Sequence, residues 1–123
     1  MKNHIDVSAV SAYLAEQSSP EAGEFAFAYT ITITNRGEQA AQLISRHWII
    51  TDGNDEIQEV KGEGVVGEQP ILPPGASFEY TSGTLMQTPT GTMRGSYRMI
   101  AEDGTAFDAD IPMFSLRATK TLH

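Results

Sequence analysis

The sequence predicts an all-β fold, an immunoglobulin-like or fibronectin type III-like β-sandwich of about seven or more antiparallel strands. Apolar and polar residues alternate along much of the chain, which is the pattern of strands that bury one face. Turn-forming residues recur about every ten to fifteen positions, as expected for short antiparallel strands. The chain has no cysteine, so the disulfide of antibody domains is excluded and the fibronectin-like variant is favoured.

The first strands follow from alternation and from the turns between them. Residues 4–14 alternate apolar and polar side chains and predict the first strand. Residues 25–34 place a large apolar side chain at every odd position, so one face of this second strand should be buried. Residues 39–51 predict a third strand, and its nearly continuous apolar end is typical of a central strand. A turn cluster at residues 52–55 predicts a hairpin over residues 48–60.

The remaining strands follow a proline-rich loop. Pro70, Pro73 and Pro74 exclude a central strand at this point, because proline has no backbone N–H to donate to a neighbour. Alternation then resumes over three segments that predict strands at residues 77–81, 91–102 and 105–116. A turn at residues 102–104 separates the last two of these strands.

Composition bounds the function more than it identifies it. The 123 residues suit one domain over residues 1–123, with a core over about residues 5–116 and flexible termini. The formal net charge of −8 argues against binding to nucleic acid or to an anionic membrane, since both would repel the chain. We find no apolar run long enough for membrane insertion and no secretory leader, so we expect a cytoplasmic protein.

The segment GEGVVG, with Gly62, Gly64 and Gly67, has the glycine spacing of a dinucleotide-binding loop. Such a loop needs a helix after its last glycine, whereas here the chain continues to Glu68-Gln69-Pro70. We therefore interpret the glycines as structural residues that permit a turn, a bulge or a crossing between sheet edges. Anion binding by exposed backbone N–H groups of this loop stays open as the weaker alternative.

The acidic hairpin after the third strand superficially resembles a calcium-binding loop. Ile57 occupies the position that needs glycine, and the flanking segments predict strands, so an EF-hand is excluded. A solvated, repulsive sheet edge is the favoured interpretation. The weak candidates for divalent-cation ligands are Asp52, Asp55, Glu56 and His47.

Two further groups of residues are candidates for chemistry. Ser45 and His47 share one face of a strand, but no third residue completes a hydrolytic set, so catalysis is not predicted. Arg94 and Arg98 also share a face and could bind a carboxylate or phosphate. Pairing of these arginines with acids on adjacent strands, such as Asp108, is the more common arrangement.

Several of these segments together resemble the ApaG family of bacterial proteins. The resemblance rests on Ser45-Arg46-His47-Trp48, on residues 62–67 and on Tyr80-Thr81-Ser82-Gly83, and it extends over almost the whole chain. It implies a fibronectin type III-like sandwich and an association with cobalt resistance and magnesium efflux, under the alternative family name CorD. Related domains in larger eukaryotic proteins, including an F-box protein and a polymerase-delta-interacting protein, imply a protein-binding module. The resemblance implies no catalytic residues and no cofactor.

Two hypotheses of function follow. The first is a non-enzymatic module that binds an unidentified protein partner within Co²⁺ and Mg²⁺ homeostasis. Its candidate partner surface is the glycine-rich loop or the face that carries Arg46, His47, Trp48 and Tyr80. The second hypothesis is a sensor that binds divalent cations through the acidic hairpin, or a phosphorylated or nucleotide ligand through Arg94 and Arg98.

Overall fold

The computed structural model describes residues 2–118 and confirms the all-β prediction. It contains eight strands, β1 to β8. In chain order they are Ile5–Tyr13, Phe25–Asn35, Ala41–Asp52, Ile57–Glu63, Ile71–Leu72, Ser77–Met86, Thr90–Ala101 and Ala106–Arg117. Two single-turn 3₁₀ helices, Ala15–Gln17 and Pro20–Ala22, join β1 to β2. No helix within residues 2–118 is long and apolar enough to cross a membrane. Residues 1 and 119–123 of the predicted domain lie outside the described residues.

The strands form two antiparallel sheets. The smaller sheet has the order β1-β2-β6, and the larger has the order β4-β3-β7-β8, with the short β5 also paired to β3. Strand β3 has β7 on one side and β4 with β5 on the other, which confirms the predicted central strand. The predicted hairpin is present as β3–β4, where Trp48 pairs with Val60.

The core lies between the two sheets. Alternate residues of β2, namely Phe27, Tyr29, Ile31 and Ile33, are buried as the sequence pattern predicts. The indole of Trp48 meets Tyr29, Tyr97 and Phe114 in edge-on contacts, the arrangement that aromatic quadrupoles favour. With no disulfide available, burial of these large side chains is the main source of stability.

A β-bulge in β3 decides which of its side chains face the core. The pairing of β3 with β7 shifts between Leu43 and Ser45, so Ile44 is the extra residue. Leu43 and Trp48 are both buried although an odd number of positions separates them. Regular alternation would put them on opposite faces, and the bulge restores them to one face. Arg46 therefore lies on the core side of the sheet with Trp48.

One side of the sandwich is closed and the other is open. Strand β1 contacts β8 on the closed side, where the Ser11 hydroxyl donates to the Ser115 carbonyl at 2.8 Å. On the open side, β6 is the last strand of the small sheet and β4 the last of the large sheet.

The sequence predicted only residues 77–81 of β6, because the polar Ser82 and Thr84 at its inward positions hide the alternation. It also missed β5, which spans two residues between prolines.

Candidate functional site

The three segments that carry the family resemblance meet in one depression on the open side of the sandwich. This depression has a volume of about 260 Å³. The lining comes from strands β2, β3 and β6, from the end of β4 and from the turn after it: Tyr29, Arg46, Trp48, Glu63, Val65, Val66, Gly67, Tyr80 and Ser82. Residues that lie far apart in the sequence thus form a single site with a cationic, an aromatic and a hydroxyl component.

The glycine-rich segment forms a tight turn that closes one wall of this depression. Gly64 and Gly67 have φ values of 64° and 81°, a region that favours glycine, and Val66 has a φ of 43°. Val65 and Glu68 exchange two backbone hydrogen bonds of 2.8 and 2.9 Å, and the Val65 side chain is fully buried in the core. The segment forms a turn instead of a crossing between sheets, since β5 returns to the same edge of β3 as β4.

Arg46 fixes this turn to β3. Its Nη1 donates to the carbonyls of Glu63 and Gly64, at 3.0 and 2.8 Å. Gly62 pairs with Arg46 across the strands, and its missing side chain leaves room for the guanidinium. A Cβ at Gly62 would lie 2.7 Å from Arg46 Nη2, which is closer than such atoms approach. The turn and the arginine therefore define each other's position.

Tyr80 lines the depression, and its hydroxyl meets that of Tyr97, which is fully buried in the core. Tyr80 on β6 and Tyr97 on β7 share a hydrogen bond of 2.6 Å that links the two sheets. Burial raises the pKa of Tyr80 to about 12, and the bond to Tyr97 and the positive charge of Arg46 oppose part of this rise. Burial also raises the pKa of Tyr97 well above its ordinary value. Both phenols are therefore neutral hydrogen-bonding groups at physiological pH.

We expect this pair to make the fold sensitive to alkali. In the unfolded chain Tyr80 ionises near its ordinary pKa of 10.0, whereas in the folded chain it ionises near 12. Because the pKa of Tyr80 is raised in the folded chain, its stabilisation of the fold is complete below pH 10 and is lost as the pH rises from about 10 to about 12. The loss in free energy of unfolding from Tyr80 is on the order of 2–3 kcal/mol. Circular dichroism and phenolate absorbance should be recorded together across this range. Ionisation of all four tyrosines with an unchanged fold would contradict the expectation.

The proposed partner surface of Arg46, His47, Trp48 and Tyr80 divides between two faces. Arg46 and Tyr80 line the depression, while Trp48 is 2% exposed and supports it from the core. His47 lies on the outer face of the large sheet, where its Nε2 is 2.7 Å from Glu59 Oε1. That hydrogen bond lowers the pKa of the Glu59 carboxyl. The four residues therefore do not form one continuous surface.

Arg94 and Arg98 lie on the outer face of the large sheet, as their spacing predicts. Arg98 Nε is 2.9 Å from Asp108 Oδ1 on β8, the interstrand pairing expected from the sequence. Arg94 is exposed, lies opposite Ile49 on β3 and makes no ion pair within residues 2–118. Four residues of extended strand place the two Cα atoms about 13 Å apart. The two arginines do not converge on one ligand in this arrangement.

The candidate metal ligands serve the hairpin turn instead of converging. Asp52 Oδ1 accepts hydrogen bonds from the backbone N–H groups of Asn54 and Glu56, at 2.8 and 3.0 Å. Asp55 has a φ of 63°, a conformation that aspartate tolerates in turns. In the part of the chain that the structure describes, no three acidic or histidine side chains are grouped closely enough to hold a metal ion.

Comparison with known proteins identifies the family. Residues 15–101 match the ApaG domain, and they include every residue that lines the depression. The chain belongs to the ApaG family. It is 62% identical over 122 residues to Protein ApaG of Thiobacillus denitrificans, covering 99% of this chain and 96% of that protein. It is 58% identical to Protein ApaG of Dechloromonas aromatica with the same coverage.

A crystal structure of the ApaA protein from Bordetella pertussis has the same fold as this ApaG family member. It is 51% identical in sequence, covers 97% of each chain and superposes with a TM-score of 0.93. The names of these relatives state no reaction and no ligand.

Proposed function

We propose that this protein is a non-enzymatic protein-binding module that takes up an extended segment of its partner along the free edge of β6. The main support for this proposal is the unpaired edge of β6. Strand β6 runs for ten residues, pairs with β2 on one side and has no strand on its other side within residues 2–118. An unpaired strand edge presents a row of backbone donors and acceptors that a further strand can complete.

The other strand edges of the sandwich are closed or charged. β1 and β8 cover each other on the closed side. β4 carries the exposed side chains of Glu59, Lys61 and Glu63, and charged edge strands discourage pairing with another chain. β6 contains no lysine, arginine or proline, and Glu79 is its single charged residue. Among the edges, β6 is the one that lacks the usual protection against pairing.

Depressions at two points along β6 could receive side chains of an added strand. The first is the site beside Tyr80 and Ser82. The second lies near Met86, has a volume of about 260 Å³ and is lined in part by Ile57 and Leu85. These two apolar side chains are 65% and 56% exposed. In strand addition, main-chain hydrogen bonds supply affinity and such recesses supply specificity.

The proposal includes the cellular setting that the family resemblance implies. We place the partner in the cytoplasm and within Co²⁺ and Mg²⁺ homeostasis, so that the ApaG protein acts there through protein contacts. A direct sensor of these cations gains less support, because the acidic hairpin uses Asp52 to stabilise its own turn. A phosphate sensor built on Arg94 and Arg98 gains little support, because Asp108 already engages Arg98.

The test is a comparison of two lysine substitutions on the same sheet. Decapeptides that bind the immobilised protein are first selected from a random display library. Thr81 on edge strand β6 pairs with Thr30 on central strand β2, and their hydroxyls are 2.8 Å apart on one face. We expect a Thr81→Lys variant to weaken peptide binding at least about tenfold, because a lysine on an edge strand opposes pairing. Thr30→Lys, the matched control, should bind nearly as the unmodified protein does.

Hydrogen exchange locates the peptide independently of the substitutions. Bound peptide should slow exchange of backbone amides within Ser77–Met86 and leave those of β1 and β8 unchanged. Equal affinity for the edge variant and the control, or protection confined to another strand, would refute docking on β6. Circular dichroism of each variant shows whether the fold is retained.

A further inference from the structure

Arg46 has hydrogen-bond donors to spare inside the depression. A guanidinium carries five N–H donors. Nη1 of Arg46 donates to two carbonyls of the glycine turn, and neither Nε nor Nη2 reaches an acceptor within residues 2–118. Arg46 is partly exposed and lines the depression, so these donors are accessible to a ligand there. The planar fork of an arginine is best matched by a carboxylate, which accepts two parallel hydrogen bonds.

The charge of Arg46 also has no acidic partner within residues 2–118. Arg46 is the one lysine or arginine in that range that is partly buried, whereas the others are exposed. Arg36 reaches Asp6 and Arg98 reaches Asp108, but Arg46 makes no ion pair within residues 2–118. Glu63 lines the same depression and engages Arg46 through its backbone carbonyl, with no ion pair between the side chains. A partly buried cation of this kind favours an anionic ligand.

The position of Arg46 relative to β6 indicates where that ligand comes from. Tyr80 and Ser82 of β6 line the depression together with Arg46. Alternate side chains of a strand that pairs with β6 would point to the same side as Tyr80 and Ser82. The Ser82 hydroxyl makes no hydrogen bond within residues 2–118 and could add a donor to the same ligand. A side chain of an added strand would therefore meet the guanidinium and this hydroxyl.

We infer that the segment docking on β6 carries an aspartate or glutamate whose carboxylate is bound by Arg46. This inference rests on the proposed function and adds the chemistry of the partner to it. The inward positions of β6 continue from Ser82 to Met86, beside the second depression, which Asp52, Glu56, Gln58 and Gln87 line together with Ile57 and Leu85. The residue about four positions from the acid would face that second recess, because strand side chains alternate. The acid and this residue therefore lie on one face of the partner segment.

The test uses the selected decapeptides and a pair of arginine variants. Peptides that bind the unmodified protein should share an acidic residue at a fixed position, and changing it from Glu to Gln should weaken binding roughly 10- to 100-fold. The Arg46→Gln variant should bind the Glu peptide more weakly than the unmodified protein does, by a similar factor. It should bind the Glu and Gln peptides with equal affinity. Arg46→Lys, which keeps the charge without the fork, should fall between these values. Arg94→Gln removes an exposed arginine without an ion pair and should change nothing.

The outcomes separate this inference from the proposed function. Arg46 also holds the glycine turn, so the ¹H–¹⁵N spectrum of each variant must show that the turn is retained. Peptides that need the β6 edge but show no acidic preference would refute the carboxylate site and leave strand addition intact. If a folded Arg46→Gln variant still binds the Glu peptide more tightly than the Gln peptide by the original factor, the carboxylate site is likewise refuted and strand addition is left intact. Recovery of no peptide that depends on β6 would refute both proposals.

Discussion

Replacing Gly64 by alanine is expected to lower the free energy of unfolding by more than about 3 kcal/mol. Gly64 has a φ of 64°, and a Cβ added there would collide with the backbone carbonyl of Glu68. That carbonyl accepts the hydrogen bond from Val65 N–H that closes the turn, so the clash cannot be relieved by rotating a side chain. Urea denaturation of Gly64→Ala, followed by circular dichroism, measures the loss.

Gly67 provides a matched control within the same turn. Its φ is 81°, and a Cβ there would have nothing within 4 Å. Gly67→Ala should therefore lose only the cost of a left-handed alanine, about 1–2 kcal/mol. A similar loss for both variants would show that conformational strain alone, and not the contact with Glu68, makes Gly64 necessary. The comparison thus separates the two reasons for a glycine.

The turn also links stability to the proposed site. Val65 is fully buried, and its backbone bonds with Glu68 hold the turn beside the depression. The carbonyl of Gly64 is one of the two acceptors that orient Arg46. Opening the turn would therefore release the guanidinium as well as the core valine. Loss of peptide binding in Gly64→Ala is expected to accompany its loss of stability.

The architecture was predictable because it depends on patterns that local sequence carries. In the middle of β2 the odd positions 27–33 are apolar, and they are buried in the sandwich while the even positions 28–34 are only partly buried. The glycine segment could be separated from a nucleotide-binding loop for an equally local reason, since prolines follow it where a helix is required. The extent of β6 was underestimated, because Ser82 and Thr84 face inward without being apolar. Alternation of apolar and polar residues detects buried apolar side chains, but it does not detect inward positions that carry polar side chains.

The composition of the site was only partly predictable. The sequence indicates Arg46 and Tyr80 as candidates, but regular alternation cannot tell which face Arg46 occupies. Its inward position depends on the bulge at Ile44, which arises from the pairing of β3 with β7. The sequence predicts that Tyr97 lies in a strand, but its hydrogen bond to Tyr80 crosses between the sheets and leaves no local pattern. Contacts of this kind are set by packing and appear only in three dimensions.

The substitution Gly95→Ala is expected to be at least as damaging as Gly64→Ala, with a loss above about 3 kcal/mol or a failure to fold. Gly95 lies in β7 opposite Trp48, and a Cβ there would collide with the backbone carbonyl of His47. Relief would require β3 and β7 to separate near the middle of the large sheet. That movement would break ladder hydrogen bonds and displace Trp48 from its contacts with Tyr29 and Tyr97. Thermal unfolding and the near-ultraviolet signal of the single tryptophan report these changes.

Gly83 is the control for this second prediction, because it also lies within a strand and lacks a positive φ. A Cβ at Gly83 would meet the Phe27 carbonyl at 3.2 Å, a tight contact that a shift of a few tenths of an ångström relieves. Strand β6 can make that shift because no strand within residues 2–118 pairs with its other edge, whereas β7 is held between β3 and β8. Gly83→Ala should change stability by less than about 1 kcal/mol. An equally large loss at Gly83 would mean that β6 is as constrained as β7, and that result would also weaken the case for β6 as an open docking edge.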